Sequence, residues 1–187
     1  LVVDLNYTTD EGVVITKRFT FQRGEYVVGV EYLVTNNSDR PWQASLFGQL
    51  KRDNRPDPGA TGGALGIKPF IGFATRTADE PYQKFTFEDI EEKPYEAANK
   101  GGWVALVQHY FISAWIPSAE AQTASSMLKT AAGDNIARFT SPELQLVPGA
   151  SGSIAAQFYA GPKDQYRLRQ IAPGLDLTVD YGWLWWI

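Results

Sequence analysis

Cysteine is absent from this 187-residue chain, which excludes disulfides and thiolate metal sites together. The compartment stays open, because exported proteins also do without disulfides. Long apolar runs are missing too. None approaches the roughly 18 residues of a membrane-spanning helix, and no signal peptide is recognisable. Basic clusters are lacking, and a formal net charge of -4 argues against nucleic acid as a partner. The chain opens at Leu1 inside what reads as a strand. It is therefore expected to be an excised piece of a longer protein, and its silence about targeting excludes nothing.

Chemical signatures are equally sparse. His109 is the only histidine. A lone histidine in an apolar strand more often packs than catalyses, and acid–base chemistry would then fall to carboxylates. Most of the 21 Asp and Glu residues sit in turns or at strand ends, and Asp89, Glu91 and Glu92 show no convergence on a pocket. There is no Asp-x-Asp-x-Asp-Gly calcium loop and no Gly-x-Ser-x-Gly nucleophile turn. The glycines from Gly59 to Gly66 end without the Gly-Lys-Ser/Thr of a phosphate loop. Asn6-Tyr7-Thr8 and Asn36-Asn37-Ser38 fit the glycosylation triplet, which matters only in a eukaryotic secretory setting. No catalytic residue, cofactor site or metal site is assigned.

What the chain has is a core and a strand rhythm. It is 44% hydrophobic and 13% aromatic, ample for a packed interior. Tyr26, Val28, Val30, Tyr32 and Val34 share one face, opposite Gly29, Glu31 and Thr35. Val13, Ile15, Phe19 and Phe21 alternate with Thr16, Arg18, Thr20 and Gln22. With glycine turns at residues 8–12 and 22–25, the first 36 residues read as a three-stranded antiparallel meander. A strand is expected over residues 42–50, then a long Pro- and Gly-dense loop over 53–68 of the kind that is functional or mobile. Shorter strands at 70–75 and 84–88 lead into an exposed acidic connection, residues 89–94.

Residues 103–117 read as a single strand buried on both faces. Trp103, Ala105, Val107, Phe111 and Trp115 fall on one face; Val104, Leu106, Tyr110, Ile112 and Ile116 fall on the other. Further strands are expected near 125–130, 136–140, 144–147 and 153–160. One helix, Pro162 to Ala172, is expected to open on its proline and stop at Pro173-Gly174. Leu175, Leu177, Val179 and Tyr181 then alternate with Asp176, Thr178 and Asp180, as in a short strand or extended segment. The sum is a mainly β chain, an antiparallel β-sandwich of one domain (1–187) with an appendage at 161–187.

Three tryptophans, Trp183, Trp185 and Trp186, crowd the last residues with no charge after Asp180. Tryptophan enriched at a boundary is what a chain shows at a membrane surface. Residues 182–187 read as the start of an amphipathic helix along that surface, with Gly182 as the joint. Core packing of Trp183 or Trp185 accounts for one ring, not three.

Two stretches, GGWVALVQHYFISAWIP (101–117) and PGLDLTVDYGWLW (173–185), resemble segments of the large periplasmic domain of the YidC membrane protein insertases of Gram-negative bacteria. KRFTFQRGEYVVGVEYLVTN (17–36), FGQLKR (47–52) and the order of VPG (147–149) and YAGPK (159–163) agree with it. The resemblance covers most of the chain from about Val13. It implies a β-supersandwich related to sugar-binding and mutarotase-like proteins, with one or two C-terminal helices next to the membrane. It further implies a place between the first and second transmembrane helices, on the periplasmic side of the inner membrane. The role implied is insertion and folding of inner-membrane proteins, alone or with the Sec translocon.

Sec auxiliary subunits, nascent inner-membrane proteins and, at the C-terminal end, the membrane surface are the implied partners; the isolated domain is expected to be monomeric. No catalytic residue carries over, because the family's insertion groove lies in the transmembrane region. The domain is also expected to lack its N-terminal part. The expected structural and juxtamembrane residues are Leu177, Val179 and Tyr181, packed on the sandwich or the helix, followed by Gly182, Trp183, Trp185 and Trp186. The rival reading is a carbohydrate-binding or mutarotase-like sandwich, with Trp42, Tyr82 or Tyr95 as stacking platforms. There His109 would have to do all the acid–base work, which argues against it. A structural or adhesive sandwich of a secreted protein is the third possibility.

Overall fold

Alternating β-branched and aromatic residues pair readily as strands. In the computed structural model, which describes residues 1–55 and 70–179, they form β1 (Val2–Thr8), β2 (Val13–Phe21) and β3 (Val27–Asn36). Val3 pairs with Phe19, and Phe19 in turn with Val30, so the meander runs as its pattern predicts. On the other face Asp4 accepts two hydrogen bonds from Arg18, both at 2.9 Å.

The strand expected over residues 42–50 divides into β4 (Trp42–Ala44) and β5 (Phe47–Arg52), which enter different sheets. β6 (Gly72–Arg76) and β7 (Gln83–Phe85) make a hairpin. The expected acidic connection is instead largely a helix, α1 (Phe87–Glu92). The Thr86 hydroxyl accepts from the Asp89 N–H at 3.1 Å, while the Thr86 N–H donates to Asp89 Oδ2 at 2.7 Å. That reciprocal capping box satisfies N–H groups the first turn leaves orphaned. Ile90 supplies the helix's buried contact, and Glu91 holds Lys129 at 2.6 Å. β8 (Tyr95–Lys100), unforeseen in the sequence, follows.

The apolar stretch 103–117 is a hairpin rather than one strand. β9 (Trp103–Val107) and β10 (Phe111–Pro117) fold back at Gln108-His109-Tyr110, so His109 stands in a turn, its ring stacked on Tyr110 at 3.9 Å. Val107 pairs with Ile112 and Ala105 with Ala114, joining odd positions of β9 to even positions of β10. The faces are reassigned accordingly. Trp103, Ala105 and Val107 lie with Ile112, Ala114 and Ile116; Val104 and Leu106 lie with Trp115.

β11 (Gln122–Lys129), β12 (Asn135–Thr140), β13 (Leu144–Leu146) and β14 (Ser151–Pro162) complete the strands; α2 (Gln165–Ile171) and a 3-10 turn (Leu175–Thr178) follow. Among the described residues one sheet has eight strands in the order β1-β2-β3-β14-β10-β9-β6-β7. A second has four, β5-β12-β11-β8, and a ribbon pairs β13 with β4. Each strand pairing is antiparallel, giving the mainly β sandwich that the alternation implied.

The β9–β10 hairpin is apolar on both faces because both are covered. One face meets Leu168, Ala172 and Leu175 of the C-terminal elements; the other meets the second sheet through Phe139, Met127 and Leu50. Gly48 on β5 lets that second interface close. A Cβ there would overlap the Phe139 ring and stand 2.8 Å from Trp115 Cδ2. The larger sheet overhangs its partner at β1, where Leu1, Val3, Leu5 and Tyr7 are exposed.

Candidate functional site: the groove beside the C-terminal helix

The C-terminal helix starts later than its sequence suggests. Pro162 closes β14, where it pairs with Phe111, and Asp164 caps α2 by accepting from the N–H groups of Tyr166 (3.0 Å) and Arg167 (3.2 Å). An aspartate outranks a proline here because it satisfies two orphaned donors. Leu168 anchors the helix in the core. Arg167 fastens its outer side, donating to Gly24 O at 2.8 Å and to Glu25 at 3.3 Å, with its guanidinium 5.1 Å from the Tyr26 ring centre. Beneath lies buried Tyr159, whose hydroxyl donates to Pro162 O at 2.7 Å. Burial pushes that phenol up to about 12.

At its other end α2 is fixed by Trp103, whose indole N–H donates to Pro173 O at 3.0 Å. Gly174 then takes a left-handed φ of +74°, with Pro81 O only 2.8 Å from where a Cβ would be. The alternation expected from Leu175 onward does not make a strand. Residues 175–178 wind into a 3-10 turn, which buries residues three apart, Leu175 and Thr178. Leu177 is turned outward, 48% exposed, and does not pack as expected. Val179 does pack on the core shared by the large sheet and α2. Tyr181, Gly182, Trp183, Trp185 and Trp186 lie outside the described residues, as does most of the Pro- and Gly-dense loop.

Where α2 stops short of covering the large sheet, a groove of about 630 Å³ remains. Its sides include Trp103, Ile116, Ile171 and Pro173, and small residues such as Gly29 and Ala155 keep it open. Glu31, Arg76 and Lys100 bring charge to it. Nothing local in the sequence marks these residues, because β2, β3, β6, β14 and α2 meet there only through topology. A smaller apolar cavity of about 340 Å³ lies between Tyr32, Trp42 and Phe47.

The residues weighed for sugar chemistry fall elsewhere. His109 is not among the groove residues. Tyr82 packs 6.4 Å from Trp103, Tyr95 packs 4.8 Å from Phe85, and Trp42 packs against Val13, Val34 and Leu146. None of the three is a bare stacking platform. Asp89 is spent on the α1 cap and Glu91 on Lys129. Among the described residues no group of three His, Asp or Glu is placed to hold a metal.

Among solved structures, a galactose mutarotase-like protein from Lactobacillus casei superposes with a TM-score of 0.56 at 9% identity, covering 86% of this chain and 69% of that one. GH36 alpha-galactosidase AgaA from Geobacillus stearothermophilus gives 0.57 at 10% identity over 86% of this chain and 24% of that one. At such identities the likeness concerns the fold alone, and it is the mutarotase-like sandwich. Sequence relatives are far nearer. Membrane protein insertase YidC of Cellvibrio japonicus is 51% identical over 189 residues, and that of Pseudomonas syringae pv. syringae 48% over 187. Both alignments take in 100% of this chain but only 34% and 33% of the relative, so the chain spans about a third of the length of these proteins. The family model described as the YidC periplasmic domain matches residues 1–187, and the chain belongs to that family.

Proposed function

We propose that this chain serves as the periplasmic accessory domain of a membrane protein insertase and chaperone, which inserts and folds inner-membrane proteins alone or with the Sec translocon. Family membership over the whole chain carries this reading. The site supports it: a mutarotase-like sandwich whose single histidine sits in a turn on Tyr110 rather than among the groove residues is suited to binding and positioning, not turnover. In this reading the domain acts as a monomer on the periplasmic side of the inner membrane and offers surfaces to Sec auxiliary subunits and nascent inner-membrane proteins. Its appendage, clamped by Arg167 at one end and Trp103 at the other, sets the direction of the chain toward the membrane. Gly182 is the joint there, and Trp183, Trp185 and Trp186 lie along the lipid headgroups.

Complementation tests the reading. Cells depleted of their own insertase receive the full-length protein with or without residues 1–179, and insertion of a reporter is followed by protease accessibility of its periplasmic loop. Deletion is expected to lower insertion severalfold. Unchanged insertion, with the deleted protein present at normal level, overturns the accessory role.

A further inference from the structure

Among the described residues, the groove beside α2 contains one cation without a partner. Lys100 is held by Glu120 at 2.7 Å, and Glu31 stands opposite Arg18 in the β2–β3 register. Arg76, the last residue of β6, is half-buried, and its guanidinium makes no hydrogen bond or ion pair among the described residues. Its stem is held in place: Arg76 pairs with Trp103, and its Cδ and Nε lie 3.4 and 3.6 Å from the point where Gly174 would carry a Cβ. Guanidinium stays charged at any working pH and presents a rigid fork of donors that matches a carboxylate. Partly desolvated and unpaired, such a group is poorly satisfied, and a carboxylate is the ligand that relieves it best.

The surroundings say what else that ligand carries. Ile116, Ile171 and Pro173 give apolar walls, and the small side chains Gly29 and Ala155 leave room between them. At about 630 Å³ the space falls within the range of ordinary ligand sites, roughly 300 to 1,000 Å³.

We propose that this groove receives an extended apolar segment of a nascent membrane protein and anchors it through an Asp or Glu carboxylate on Arg76. The inference rests on the insertase reading above and names the substrate feature that its periplasmic domain selects. Charge complementarity gives the selection a direction. Loops kept in the cytoplasm are enriched in Lys and Arg, whereas segments that have crossed are depleted of them. Segments of the second kind, the ones a periplasmic groove meets, bring no excess of cations against Arg76, and an acidic residue among them can pair with it.

Fluorescence anisotropy with a labelled, short apolar peptide tests this on the 187-residue chain. One peptide carries a central Asp; its twin carries Asn and is otherwise identical. The Asp peptide is expected to bind about tenfold more tightly, as a desolvated charge-assisted pair gives. Arg76→Gln should erase the difference, Arg76→Lys should keep part of it, and Ala155→Leu should weaken both peptides by filling the space between the walls. Equal binding of the two peptides, a preference that survives Arg76→Gln, or binding of vesicles containing anionic lipid in place of peptide overturns the proposal. The peptide swap needs no protein variant, so a misfolded Arg76 mutant does not blunt the test. If the Asp preference fails while deleting the domain still lowers reporter insertion, the groove assignment falls and the accessory role stands. If the Arg76-dependent preference holds while deletion leaves insertion intact, the binding site stands and the accessory role falls.

Discussion

Trp103 Nε1 and the carbonyl of Pro173 are 3.0 Å apart, a hydrogen bond across 70 residues that ties the first residue of β9 to the loop ending α2. It joins the sandwich to the appendage at the mouth of the groove, and the indole is itself 2% exposed. Trp103→Phe should retain most of the ring's burial and lose this bond. The expected cost is about 1–3 kcal/mol, from the unmade bond to the Pro173 carbonyl and the void left where the larger ring packed. Denaturant unfolding should show a lower midpoint at unchanged slope. Amide exchange over residues 172–179 should quicken more than over β9; equal quickening would mean that the bond does not hold the appendage.

Gly48 is a second point of close approach. Phe139 and Trp115 converge on the backbone where any side chain would stand. Gly48→Ala should therefore destabilise the interface of the two sheets by at least about 1–3 kcal/mol, the usual effect of overpacking a core. Thermal melting of the variant checks this, and an unchanged midpoint would mean that β5 yields freely.

The sequence carried the strands well wherever one face was to be buried and the other left wet. Val30 and Val34, buried, against Glu31 and Thr35, partly exposed, is such a pattern, and β3 follows it. It failed where both faces are covered. Residues 103–117 carry no alternation to show where the chain turns, and only the polar Gln108-His109 hints at the break. The α1 signal was present, Thr86 three residues before Asp89, but it was hidden inside an acidic run that looked merely solvated. From Leu175 the chain winds at a period near three, where apolar alternation mimics a strand. Arg76 and Ala155 were invisible as site residues because 79 positions separate them, and only the sheet order brings them to one groove.

Thr86→Ala would test the overlooked helix. It removes the acceptor for the Asp89 N–H and opens the capping box, which should cost about 1 kcal/mol. Restoring serine should recover most of it. A loss the size of measurement error would show that Ile90, not the cap, fixes α1.

Tyr159 should set an alkaline limit to stability. Its phenol is pushed from 10.0 up to about 12 by burial, so the fold favours the neutral form. A group raised in the folded state contributes fully below its unfolded value, and that contribution is lost as pH rises through the folded one. Stability should thus fall between about pH 10 and 12. Tyr159→Phe should flatten that limb while costing about 1 kcal/mol at neutral pH for the lost bond to Pro162 O. Urea midpoints at neutral and alkaline pH distinguish the two effects; a limb of the same depth in the variant would assign it to other tyrosines.

Leu177 and Val179 alternate in the sequence as if on one face of a strand, but the 3-10 turn sends them apart. Leu177 is 48% exposed on the 3-10 turn, whereas Val179 packs on the core beneath α2. Val179→Ser should cost about 1–2 kcal/mol in the 187-residue chain, from lost burial and a hydroxyl placed against apolar neighbours. Leu177→Ser should stay within about 0.5 kcal/mol, as surface changes do. In the full-length protein the order is expected to reverse. Leu177 stands five residues before Gly182 in the sequence, and under the proposed juxtamembrane role its outward side chain would meet lipid or a partner rather than the sandwich. Leu177→Ser should then lower reporter insertion at unchanged melting temperature. If insertion instead follows stability alone, with Val179→Ser the more damaging, Leu177 is an ordinary surface leucine and the outward turn carries no contact.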